Sequence, residues 1–273
     1  MNQDKLKIPY AFSPLIAVLA AAACAAGLFT PLYRDNALVT AAWRGNDLAT
    51  LLVIVPLLLV SQQLAQRSSL RAALLWLGSL GYMLYNYVFY LYGSAFNAFF
   101  LGYAALVALS LYALVLGLMT VDVEELRRKF SAKTPVKWIG GFLMFIAVML
   151  GGMELSRAAS FWFSGQVPMD IIKTGHPTAV VYAADLTLII PAMALAAVLL
   201  WQRRPWGYLL GALMVVKGAT YPLALIAMSI YAGLMVGEWD ALLPMYAVFF
   251  AGCLAALIFL LKNLQEKKEA GND

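Results

Sequence analysis

Apolar residues fall in eight long blocks, at residues 11–32, 47–66, 70–92, 96–119, 137–157, 178–201, 206–232 and 241–262. Each has the roughly 20-residue length an α-helix needs to cross the hydrocarbon core of a bilayer. The pattern predicts an all-α fold, a polytopic integral membrane bundle of about eight transmembrane helices. The longest interruption, residues 120–136, separates a first four-helix half (1–119) from a second (137–273) that ends in a short charged tail. Within "TVDVEELRRKFSAKTPVK" the spacing of Val121, Leu126 and Phe130 predicts a short amphipathic helix on the membrane surface, those three side chains toward lipid.

The two halves resemble one another. "NDLATLLVIVPLLLVSQQLAQR" in the second span and "ADLTLIIPAMALAAVLLWQR" in the sixth both carry Asp-Leu early, a proline in mid-helix and Gln-Arg at the far end. "FFLGYAAL" in the fourth span is echoed by "FFAGCLAAL" in the eighth, and "LYR" after the first by "LSR" in the fifth. An even number of spans per half predicts two parallel repeats, related by an axis along the membrane normal.

Composition strengthens this picture. Of 273 residues, 63% are hydrophobic and 12% charged, about half the charge of a soluble domain. The net charge of +5 orients the chain and calls for no nucleic-acid partner. With the N-terminus inside, the inner segments hold Lys5, Lys7, Arg67, Arg71, Arg127, Arg128, Lys129, Lys133, Lys137, Arg203, Arg204, Lys262, Lys267 and Lys268, against Arg34, Arg44, Arg157 and Lys173 outside. That bias predicts both termini on the cytoplasmic side. Trp43, Trp162 and Trp239 fall near outer ends and Trp138, Trp201 and Trp206 near inner ends, as interfacial belts require. The start "KLKIPYAFSPLIAVLAAAACAAG" has the basic and apolar regions of a signal peptide. Its apolar run continues to Phe29, long enough to span, so it is read as a retained helix. Cys24 and Cys253 both lie inside spans and read as packing residues.

Polar side chains gather in the outer halves of the spans. Tyr82, Tyr85 and Asn86 share one face of the third, Asn97 and Tyr103 lie at the outer end of the fourth, and Tyr246 lies in that of the eighth. Glu154 and Arg157 sit at the outer end of the fifth, spaced to pair along the helix. His176 precedes the sixth span, whose outer half carries Tyr182 and Asp185. The deepest is Lys217 in the seventh, about 13 Å from its inner end. Asp185 lies within about 5–7 Å of its level, and the tight turn "WQRRPWG" makes the two helices neighbours. An unpaired charge at that depth costs at least about 2.5–3.5 kcal/mol, so Asp185 is the expected partner. Pro56, Pro191 and Pro222 each free a backbone carbonyl inside a span.

Lys217, Asp185, Tyr182, Tyr221, Tyr85 and Asn86 are therefore the candidates for ligand binding or proton handling. Glu154, Arg157, His176, Asn97 and Tyr246 are those for an outer vestibule. The competing reading makes Lys217 and Asp185 an ion pair that fixes helix register. No catalytic residue, metal site or cofactor is expected: one histidine cannot build a multi-histidine centre, and nucleophile elbow, P-loop, Rossmann and Cys-x-x-Cys signatures are all missing. A retinal Schiff base would want its lysine in the last span, and another span follows Lys217.

"YNYVFYLYGSAFNAFF" and "HPTAVVYAADLTLIIPAMALAAVLLWQRRPWGYLLGALMVVKGAT", a little over a fifth of the chain, resemble an uncharacterised group of bacterial polytopic membrane proteins. The resemblance implies a bacterial inner membrane and carries no activity, substrate or site residue with it. The residues themselves point to an outward-facing polar pocket in a transporter or binder of a small molecule or ion. A membrane sensor or an accessory subunit of a membrane complex fits the same features without transport. A membrane enzyme and a retinal-binding protein stand behind both. The partners expected are the lipid bilayer and that small ligand, and nothing in the chain opposes a homo-oligomer.

Overall fold

A computed structural model describes residues 6–265; Lys5, Lys267 and Lys268 lie outside the described residues. Eight of its helices are long and apolar enough to cross a membrane: Lys7–Phe29, Ala37–Gln66, Leu70–Gly93, Phe100–Leu118, Val136–Ser164, Val180–Trp201, Pro205–Val236 and Leu243–Lys262. Two short helices, Val123–Lys129 and Met169–Thr174, lie in loops. Among the described residues the only extended pairing is a bridge between Phe130 and Leu264. The chain is a polytopic membrane helical bundle.

The third and seventh spans form its centre, where most of their surface is buried, whereas the others turn a broad apolar face outward. Small residues let these central helices approach their neighbours, as membrane bundles require. Gly45 of the second span lies against the backbone of Ala227 and Met228 in the seventh. Gly78 of the third lies against the Val216 side chain of the same helix.

The second span starts ten residues before its apolar block, because Asn36 caps it by accepting from the Val39 amide at 2.9 Å. Its early turns hold Asn46 and Asp47, both buried by protein rather than water. The fifth span runs past residue 157 to Ser164, where Gly165 closes it in a left-handed conformation, φ 68°. Two spans share an irregularity. Thr50–Ile54 in the second and Asp185–Ile189 in the sixth are π-helical turns, each followed two residues on by a proline, Pro56 or Pro191. The missing amide of proline is absorbed by the wider turn in front of it. Pro222 sits inside the seventh span, two residues after Thr220, whose hydroxyl bonds the Val216 carbonyl at 2.9 Å.

The loops separate into two sets. At one end, Asn36 donates to the carbonyls of Lys173 and Thr174, the Ala95 amide donates to Asp35, and Lys173 pairs with Glu238 at 2.8 Å. At the other end, Arg127 donates to the Arg203 carbonyl and the Ser131 amide to that of Asn263. The first set lies at the end expected to be outer, and the second at the basic end expected to be inner, hereafter the outer and inner ends.

Two expectations need correction. Leu126 and Phe130 face protein, not lipid: both are buried, and Phe130 stacks on Tyr208 at 4.8 Å. The loop is folded under the seventh span, which withdraws its apolar side from the membrane. Trp43 is no belt residue either. At 1% exposure it packs between Phe89 and Tyr90, 4.7 and 4.3 Å away, because the longer second helix places it inside the bundle. Trp162 and Trp239 at the outer end, and Trp138, Trp201 and Trp206 at the inner end, are exposed. Both cysteines are buried and unpaired.

Candidate functional site

Lys217 is buried at the centre of the seventh span. Its Nζ lies 3.8 Å from the centroid of the Tyr85 ring and 4.4 Å from that of Tyr221. The two rings meet edge to face at 4.7 Å, so the ammonium sits in the angle between two negative π faces. A cation desolvated against such a face gains about 2 kcal/mol. Tyr221 follows Lys217 by one turn of its own helix, and Tyr85 comes from the third span.

Asp185 does not touch the ammonium. The Tyr85 hydroxyl donates to its Oδ1 at 2.6 Å, and the carboxylate acts on Lys217 through space across that phenol. The expected direct pair is therefore a relay, ammonium to ring to phenol to carboxylate. Asp185 opens the π turn of the sixth span, which swings it toward the third and seventh spans. Glu154 of the fifth span is buried near it and, like Asp185, acts on Lys217 through space without an ion-pair contact. One of its oxygens, Oε2, has no hydrogen-bond partner. Two buried carboxyl groups thus lie in the electrostatic neighbourhood of one lysine.

Arg157 does not pair with Glu154 along the helix. It pairs at 3.0 Å with Asp170 of the short loop helix and donates at 3.0 Å to the Tyr182 hydroxyl, which itself donates to Asp170. This trio is part-exposed, and its cation reaches Glu154 electrostatically. Polar groups therefore form a file from the outer surface (Asp170, Arg157, Tyr182) to a buried floor (Glu154, Asp185, Tyr85, Lys217). Tyr246 donates to Asp240 at 3.0 Å on the near side of the eighth span. Phe142 of the fifth span lies against Gly252 of the eighth, and Phe145 and Phe249 meet at 6.3 Å.

Asn86 belongs to a neighbouring cluster. It accepts from Asn46 at 2.7 Å, while Tyr82 contacts Asn46 and the Thr50 hydroxyl. Tyr82 and Tyr221 lie 6.2 Å apart, which joins this cluster to the lysine cage. Beyond it Asp47 accepts from Tyr33 at 2.5 Å and from Tyr90 at 2.9 Å. Asn46, Asp47, Thr50, Tyr33 and Asp170 were all missed as site residues. The first two stand at the polar start of an apolar block and read as a boundary; only the Asn36 cap signals that the helix began earlier.

Asn97 shapes the turn that leads into the fourth span. Its side chain accepts from the Phe99 amide and donates to the Ala95 carbonyl. His176 packs edge-on against Phe89 at 6.4 Å, with Nε2 buried and unpartnered. Burial holds its imidazole below the usual pKa of 6.5, with Asp35 opposing. The folded state thus resists protonation, so stability present above pH 6.5 is lost as pH falls through the lower, folded pKa. Corrected for the intrinsic rate, protection from hydrogen exchange over residues 165–179 is expected to fall below about pH 6.5, and His176→Gln to flatten that dependence.

Among the described residues no group of three His, Cys, Asp or Glu could hold a metal ion. Compared with known families, curated proteins and solved structures, the chain matches none.

Proposed function

We propose that this is a proton-linked carrier of a small cation, with Glu154, Asp185 and Lys217 as its central site. One observation carries the reading: two buried carboxyl groups, Glu154 and Asp185, lie in the electrostatic neighbourhood of one buried lysine that neither touches directly. A buried cluster tolerates little net charge, so the pair balances Lys217 with one carboxylate and leaves the other to hold either a proton or a cation. Exchange of one for the other is the elementary step of proton-linked transport. An anion, by contrast, would meet two carboxyl groups before it met the lysine.

The file through Asp170, Arg157 and Tyr182 gives the exchange its outer route. The π turns before Pro56 and Pro191 support reading the chain as two related halves, whose second half specialised at Asp185 and Lys217. Basic residues at the loops around Arg127 and Arg203 support a cytoplasmic assignment for that end, and hence an outward-open arrangement in a cell membrane. A sensor that binds without passage would use the same buried residues.

Proteoliposomes carrying a pH gradient test the proposal. Addition of Li⁺, Na⁺ or K⁺ is expected to collapse the gradient for at least one of them, and Glu154→Gln to slow that collapse by at least about tenfold, the factor a 1.4 kcal/mol loss gives. If none of the three cations moves protons while one of them protects Glu154 from carbodiimide modification, the sensor reading replaces the carrier. If neither occurs, the site has no such role.

A further inference from the structure

A second cleft, remote from the lysine cage, lies at the inner end. It holds about 440 Å³ and is walled by Arg127, Arg128, Arg203, Phe130, Ser131 and Tyr208. The Arg127 Nε donates to the Arg203 carbonyl at 2.9 Å, and an Arg203 nitrogen lies 3.4 Å from the Tyr208 hydroxyl. These contacts use few of the five donors that each guanidinium offers. Among the described residues no carboxylate forms an ion pair with any of the three arginines. The nearest acids are engaged otherwise: Asp122 caps the amides of Glu124 and Glu125, and Glu125 pairs with Lys129 at 2.8 Å. The stacked rings of Phe130 and Tyr208 make the remaining wall apolar. Exposed Trp138, Trp201 and Trp206 lie at this same end, and such rings mark the depth of lipid head groups.

We propose that this cleft binds the phosphate group of an anionic phospholipid. A planar guanidinium offers paired donors that match phosphate oxygens. Basic pockets between helices on the positively charged face of a membrane protein are where anionic head groups lodge. The cleft supplies both features, along with apolar rings for the glycerol and upper acyl chain. It also stands where the halves of the chain are tied together. Residues 119–135 meet the seventh span here, and the Phe130–Leu264 bridge and the Gln265 amide to the Lys129 carbonyl clip them to the end of the eighth. A bound head group would lock that junction.

Native mass spectrometry of the full chain in a neutral detergent, with phosphatidylglycerol and phosphatidylcholine as competing probes, tests this. Phosphatidylglycerol is expected to be retained in preference, and Arg127→Gln combined with Arg203→Gln to weaken its retention by at least about tenfold. Exposed Arg128→Gln alone, which leaves the fold untouched, is expected to weaken it about threefold. Inorganic phosphate at millimolar concentration is expected neither to bind nor to displace the lipid. Equal retention of the two lipids overturns the proposal, as does full retention by both variants. Displacement by inorganic phosphate assigns the cleft to a soluble anion and overturns the lipid assignment.

Discussion

Lys217→Met is expected to cost about 3–5 kcal/mol of stability near pH 8, the penalty for stripping a buried charge of its partner. Methionine keeps the volume and packs well against aromatic rings, so the contacts to Tyr85 and Tyr221 survive and the loss reports the charge. What remains is two buried carboxyl groups, Glu154 and Asp185, with no lysine near them and no bulk water to screen them. In a Glu154→Gln background the same substitution is expected to cost less, because one of the groups that Lys217 balances is already neutral. Equilibrium unfolding in mixed detergent micelles gives the comparison. An equal cost in both backgrounds would mean that Lys217 matters through packing alone, and the electrostatic account of the site would fail.

Asp47→Ala should destabilise by about 2–4 kcal/mol, through a different cause. Asp47 accepts the hydroxyls of both Tyr33 and Tyr90; truncation leaves the Tyr33 phenol unsatisfied, at about 1–3 kcal/mol, and Tyr90 with only its longer bond to the Trp43 carbonyl, 3.3 Å. Tyr33 lies in the outer loop, and burial together with the Asp47 charge pushes its phenol well above the ordinary tyrosine range, so it stays a donor throughout the accessible pH range. Asp47→Asn keeps one acceptor and should recover about half of the loss. The same unfolding experiment measures both variants. Equal, small effects from the two would show that the phenols find other acceptors when the carboxylate goes.

Much of the fold was legible because a bilayer imposes a simple rule: each crossing must be helical, apolar and about 20 residues long. The third and seventh spans could not be singled out as central by that rule. Their burial follows from glycines such as Gly45 and Gly78 that admit close neighbours, and a glycine looks alike in a lipid-facing helix and in a packed one. Leu126 and Phe130 show the opposite error. Their spacing fits a surface helix, yet the surface they cover is the foot of the seventh span.

The site divides in the same way. Lys217 and Asp185 stand out in any reading, since a charge within an apolar run is costly and demands a partner. Depth along each helix brought them to one level, but not which atoms touch. That Tyr85 stands between them, that Glu154 rather than Arg157 joins the carboxyl group, and that Arg157 turns to Asp170 all depend on how the helices are rotated about their axes.

The sequence by itself determined the eight crossings, the basic end and the level of the buried lysine, because length, charge bias and the 1.5 Å rise per residue are properties of single segments. Only the tertiary structure decided what surrounds that lysine. The rotation of each helix is set by packing across the bundle and by π turns at Thr50–Ile54 and Asp185–Ile189, neither of which is a property of one segment read alone.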